Sequence, residues 1–129
     1  MVGLKRAISS RFAVVGFRVL GWTLLSLIGF WTLGPLGDRP RLGAPEFERI
    51  AAYCLTGFLF SAGYGRPRLM ALVLCAAAVA LEFGQLLVPG RDAGVPDAIE
   101  KMLGAIAGVV IATALRHWAS QRPAKVVLA

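Results

Sequence analysis

Acidic residues are scarce in this chain, histidine occurs once and cysteine twice. Seven Asp and Glu face fourteen Lys and Arg over 129 residues, a formal charge of +7. A lone histidine with two cysteines supplies no His/Cys metal set, no His-Glu-x-x-His is present, and no nucleophile stands beside a general base. His117 follows Arg116 near the end of the last apolar stretch, where the expected role is that of an interfacial surface residue. No metal and no cofactor are therefore expected. A soluble protein with this basic excess would suggest nucleic acid, but no motif with interleaved aromatics accompanies it, and no repeat or low-complexity tract is visible.

What is present is apolar. Hydrophobic residues make up 57% of the chain and mean hydropathy is +0.70, too high for an ordinary soluble domain, and the length suits one domain. Helices are expected at about 12–34, 46–65, 69–88 and 97–117, giving an all-α membrane protein with an antiparallel bundle of four transmembrane helices. A spanning helix needs about 20 residues. The second and fourth reach that length only if their polar turns, 46–49 and 97–101, lie in the interface.

Loop charges set the expected orientation. With the N-terminus inside, nine cations fall on the inner side (Lys5, Arg6, Arg11, Arg18, Arg66, Arg68, Arg116, Arg122, Lys125) and five on the outer (Arg39, Arg41, Arg49, Arg91, Lys101). Cytoplasmic loops collect Lys and Arg, so both termini are expected in the cytoplasm. Lys5, Arg6 and Arg11 before an apolar run imitate a secretory signal, but no small-x-small cleavage site follows near 31–35 and further spans come after. Trp31, Tyr64 and Trp118 suit the interfacial belts. At 1.5 Å per residue Cys54 falls roughly 8 Å from the outer face and Cys75 about 9 Å from the inner, too far apart to bridge, so two free buried thiols are expected.

Three prolines and three glycines in 34–45 break the chain between the first two helices, Gly65-Arg66-Pro67-Arg68 makes a tight basic turn, and Pro89-Gly90 ends the third helix. Residues three and four apart share a helix face. Ala71, Cys75, Ala78, Glu82 and Gln85 form one stripe; Asp97, Lys101, Gly104 and Gly108 a second; Arg49, Tyr53 and Gly57 a third. Gly104 and Gly108 have the GxxxG spacing that lets helices approach closely, which with Gly57 reads as packing. All three stripes turn polar toward the outer face. Close packing along them would gather Arg49, Tyr53, Glu82, Gln85, Arg91, Asp97 and Lys101, with Glu100 nearby, around one outward-facing pocket. A carboxylate such as Glu82 inside an apolar helix is costly to insert and usually marks function. The bland alternative is a set of ion pairs that only holds the bundle together.

Glu82-x-x-Gln85, then Pro89-Gly90-Arg91, then Asp97, Gly104 and Gly108 resembles the VanZ-like family of small bacterial membrane proteins. In that family an E-x-x-Q ends the third helix, a P-x-R or P-G-R turn follows, and the fourth helix starts D-x-x-x-N-x-x-G-x-x-x-G. The match covers about residues 46–112. Two positions depart: Lys101 stands at the usual Asn, and Arg49-x-x-x-Tyr53 replaces the usual H-x-x-x-Y. Both add positive charge. The resemblance implies a four-helix inner-membrane protein of bacteria, in a family whose named member is associated with resistance to the glycopeptide teicoplanin.

The expected function is non-enzymatic: Arg49, Arg91 and Lys101 receive an anionic lipid headgroup or cell-envelope precursor, and Glu82, Gln85 and Asp97 orient them, since the planar guanidinium fork suits phosphate and carboxylate. The alternative is a membrane enzyme acting on a lipid-linked substrate, with Glu82 or Asp97 as acid or base. A proton path is disfavoured because the inner halves of the last three helices hold no second carboxylate.

Overall fold

The computed structural model describes residues 2–34, 45–90 and 94–122. These form four helices: α1 (Val2–Leu33), α2 (Pro45–Tyr64), α3 (Pro67–Gln85) and α4 (Val95–Gln121). No strand occurs among the described residues.

The number and order of helices match the hydropathy pattern; their ends do not. α1 begins at Val2 rather than near Phe12. Hydropathy marks what a bilayer accepts, whereas nothing between Lys5 and Arg11 prevents helical backbone. At 1.5 Å per residue α1 is about 48 Å long, well over the roughly 30 Å hydrocarbon core. α3 stops at Gln85, three residues short of the expected end. Leu86, Leu87 and Val88 instead donate to the carbonyls three residues back, each at 3.1 Å. Pro89 has no N–H and disfavours α geometry at Val88, so the last turn tightens, and Gly90 completes it at φ 77°. α4 runs past Arg116 to Gln121.

Between α2 and α3 the connection is only Gly65 and Arg66. Gly65 takes φ 65° and donates its N–H to Ser61 O at 3.0 Å, the left-handed helix stop that favours glycine. Pro67 then opens α3, where its missing N–H is harmless.

Contacts fix the directions. Thr32 and Leu33 of α1 meet Gln85 and Gly84 of α3, so these two run alike. Ile50, Cys54 and Gly57 of α2 meet Gly104, Gly108 and Ala105 of α4, so these two also run alike, opposite to the first pair. α2 packs against all three others and most extensively against α4.

Glycine makes that α2–α4 contact possible. A Cβ on Gly104 would lie 2.6 Å from Ile50 O, one on Gly108 2.8 Å from Phe58 N, and one on Gly57 3.1 Å from Ala105 C. These are backbone atoms and cannot swing away, so all three glycines lie where α2 and α4 approach too closely for a side chain. Around the seam the core is Ile28, Tyr53, Phe60, Met70, Leu74, Ala78, Ala105 and Val109. On α3 the buried face is Met70, Leu74, Ala78, Glu82 and Gln85; Ala71 and Cys75 of the expected stripe are rotated to its half-buried edge. Cys54 and Cys75 are free, as expected, but half-buried rather than buried.

Three helices are long and apolar enough to cross a membrane: α1 over Ile8–Leu33, α3 over Pro67–Gln85 and α4 over Val95–Gln121. α2 has the length, but Glu46, Glu48 and Arg49 crowd its first turns and Tyr53, Thr56 and Ser61 occupy its buried face. It is the helix that other helices cover, which relaxes the need for an apolar exterior.

Candidate functional site

The polar residues gather where the C-terminal ends of α1 and α3 meet the N-terminal ends of α2 and α4. Glu82, on the last full turn of α3, is 8% exposed. Its Oε2 accepts from Lys101 Nζ of α4, and its Oε1 accepts from Gly94 N at 2.8 Å. Lys101 is 3% exposed. Burying either charge alone is expensive, so the pair forms because each ion is the other's compensation. Lys101 is thus the partner of Glu82.

A second pair lies one helix away. Arg49 Nη1 of α2 is 2.5 Å from Asp97 Oδ1 and 3.6 Å from Glu100 Oε2 of α4. Asp97 and Glu100 are three apart and Lys101 four beyond Asp97, so the opening turns of α4 present both pairs. Glu100 belongs to the arrangement through Arg49. Its i, i+3 spacing from Asp97 is the sequence signal for that role.

Gln85 reaches the other way, donating Nε2–H to Thr32 O at the end of α1 at 3.3 Å. Tyr53, 1% exposed, sits one turn below Arg49, and the Glu82 carboxylate is an electrostatic neighbour of its phenol. The structure therefore brings Arg49, Tyr53, Glu82, Gln85, Asp97 and Lys101 to one end of the bundle. Arg91 lies outside the described residues.

This end is under-satisfied. Arg49 Nε and Nη1, Tyr53 Oη, Gln85 Oε1 and Glu100 Oε2 are buried without a hydrogen-bond partner among the described residues; for Arg49 Nη1 the ion pair to Asp97 is close but misaligned for a hydrogen bond. Buried polar atoms normally have partners, and exceptions concentrate where a water, ion or ligand completes them. Charge is nearly balanced. Arg49 and Lys101 face Glu82, Asp97 and Glu100, so both of these cations are already paired. Beside Glu82 a cavity of about 300 Å³ opens between α3 and α4, walled by Val79, Phe83, Leu86, Val95, Ile99 and Met102.

The opposite end holds a feature the sequence pattern did not point to. Arg18 of α1 donates Nε–H to Gly63 O at 2.9 Å, and Arg116 of α4 donates to Ser61 O at 2.6 Å. Both carbonyls are in the last turn of α2, where the dipole is negative; Ser61 O also accepts from Gly65 N–H, whereas the residue four beyond Gly63 is Pro67, which has no N–H to give. Two arginines from neighbouring helices cap α2. Arg18 also lies 4.6 Å over the Tyr64 ring, whose hydroxyl accepts from Trp22 Nε1 at 2.7 Å.

No family model matches the chain, and comparison with curated proteins and with solved structures finds no match.

Proposed function

We propose that the chain is a VanZ-like integral protein of the bacterial inner membrane, crossing it four times with both termini cytoplasmic, and that its polar end receives the headgroup of an anionic lipid or cell-envelope precursor at the outer leaflet. Four spans are supported by the 20-residue length of α2 and its enclosure by the other helices. The observation that carries the site is the group of buried polar atoms left open at that end: Tyr53 Oη, Gln85 Oε1 and Arg49 Nε. A headgroup with donors and acceptors would complete them, with Tyr53 and Gln85 in uncharged contacts and Arg49 as the cation. Lys101 and Glu82 hold the frame. Because Arg49 is already paired through Nη1, a phosphate arriving at its open Nε competes with the Asp97 carboxylate for the guanidinium charge.

That competition gives a signed test. With a polyprenyl phosphate as probe in lipid nanodiscs, Arg49→Ala loses binding about tenfold or more, the value of a charge-assisted hydrogen bond, while Asp97→Asn binds more tightly than the parent. Full binding by both Arg49→Ala and Tyr53→Phe sinks the reading.

The cavity beside Glu82 favours the second reading, an enzyme on a lipid-linked substrate, since an acyl chain seated there would touch the carboxylate. Against it, both oxygens of Glu82 are already engaged, one by the Lys101 ammonium and the other by the Gly94 N–H. Turnover of a lipid phosphate by purified protein, abolished in Glu82→Gln, would decide for that reading.

A further inference from the structure

A second furrow lies on the α3–α4 seam at the other end of the bundle, away from Glu82. It encloses about 520 Å³ between Pro67–Ala71 of α3 and Ile106–His117 of α4. Its walls are Ala71, Ile106, Val109, Val110 and Ala114, and the one hydroxyl among them, Thr113 Oγ1, is already bonded to Val109 O at 2.8 Å. The mouth is basic. Arg68 lies three residues before Ala71 and His117 four after Thr113, so each shares a helix face with the apolar wall beside it. Arg68 is exposed and makes no ion pair among the described residues. The neighbouring Arg18 and Arg116 are committed to the α2 carbonyls, and Arg122 lies 3.6 Å over the Trp118 ring.

We infer that this furrow is a binding site for an anionic phospholipid, with the phosphate at Arg68 and His117 and one acyl chain along Ala71, Ile106 and Val110. The inference rests on the bilayer placement proposed above but not on the polar end. Charge and setting select this occupant. Both walls belong to helices long and apolar enough to cross a membrane, so acyl chains are the medium that meets the furrow. The basic end is the one assigned to the cytoplasmic leaflet, where anionic lipids attract juxtamembrane Lys and Arg. A second copy of the chain is a poor occupant: the described acids, Glu46, Glu48, Glu82, Asp97 and Glu100, all lie at the opposite end, so a copy inserted in the same orientation brings none of these carboxylates to Arg68.

The test uses the full chain in nanodiscs containing phosphatidylglycerol and phosphatidylcholine, with retained lipid counted by native mass spectrometry. The parent retains phosphatidylglycerol preferentially. Arg68→Glu lowers that retention about fivefold or more, the effect of one cation at an anionic surface, and Ala71→Leu lowers it by filling the furrow. Arg122→Glu, a charge reversal at the same end but off the furrow, changes it little. Equal losses in Arg68→Glu and Arg122→Glu would show diffuse surface attraction and overturn the site. So would equal retention of phosphatidylcholine, or displacement of the lipid by soluble glycerol phosphate, which would mean the tail contributes nothing. Arg49→Ala leaves retention intact, so failure of the polar-end reading and failure of this one are separable.

Discussion

Lys101 Nζ and Glu82 Oε2 meet across the α3–α4 seam with both side chains buried. Each is the main charge compensation of the other. Lys101→Met leaves a carboxylate with one N–H for compensation and should destabilise the bundle by about 3 kcal/mol or more. The double variant Lys101→Met with Glu82→Gln removes both charges and should regain most of that loss. Unfolding midpoints in a mild detergent measure the cycle; additive losses would mean the two charges are uncoupled.

Backbone contact between α2 and α4 makes Gly108 intolerant of any side chain. Gly108→Ala forces the Cβ against Phe58 N and the Cys54 carbonyl and is expected to cost about 1–3 kcal/mol by overpacking. Gly16 on α1 has nothing within 4 Å of a built Cβ. Gly16→Ala should be neutral or stabilise by up to about 1 kcal/mol through helix propensity. Thermal unfolding of the two variants side by side provides the contrast, and similar losses in both would contradict the close approach.

Removing the arginine caps should loosen one helix end without dissolving the bundle. In Arg18→Met with Arg116→Met, amide exchange at Gly63–Gly65 should rise at least about tenfold, since hydrogen bonds from charged donors contribute roughly 1.5–3 kcal/mol each. Exchange at Tyr53–Gly57, deep in the α4 contact, should stay slow. Uniform acceleration along α2 would show that the arginines hold the whole helix.

The proposed orientation puts both chain ends in the cytoplasm. A fluorescent-protein fusion after Ala129 should fluoresce and an alkaline-phosphatase fusion at the same place should be inactive. The reverse pattern would invert the assignment of inner and outer ends, taking the leaflet of both proposed sites with it.

Four helices, their order and the glycine seam were legible because they depend on local quantities: apolar run length, three-to-four spacing, and Pro or Gly at the breaks. Helix ends were less legible where hydropathy and backbone preference diverge, as from Val2 to Arg11 and from Leu86 to Val88. The residues of the polar end were legible as a group, since a charge in an apolar helix has few places to face.

Which charge meets which was not legible. Glu82 had Arg49, Arg91 and Lys101 as candidate cations, and only the rotation of α4 against α3 selects Lys101, leaving Arg49 to Asp97 and Glu100. The capping of α2 by Arg18 and Arg116 was hidden for the same reason, because the partners are 45 and 55 residues apart and are backbone carbonyls, which leave no mark on composition. Sequence determined where polar groups had to lie along each helix, because burial and helical period are properties of one segment. Tertiary structure decided their partners, because an ion pair depends on the distance and rotation between segments that the chain connects only through its loops.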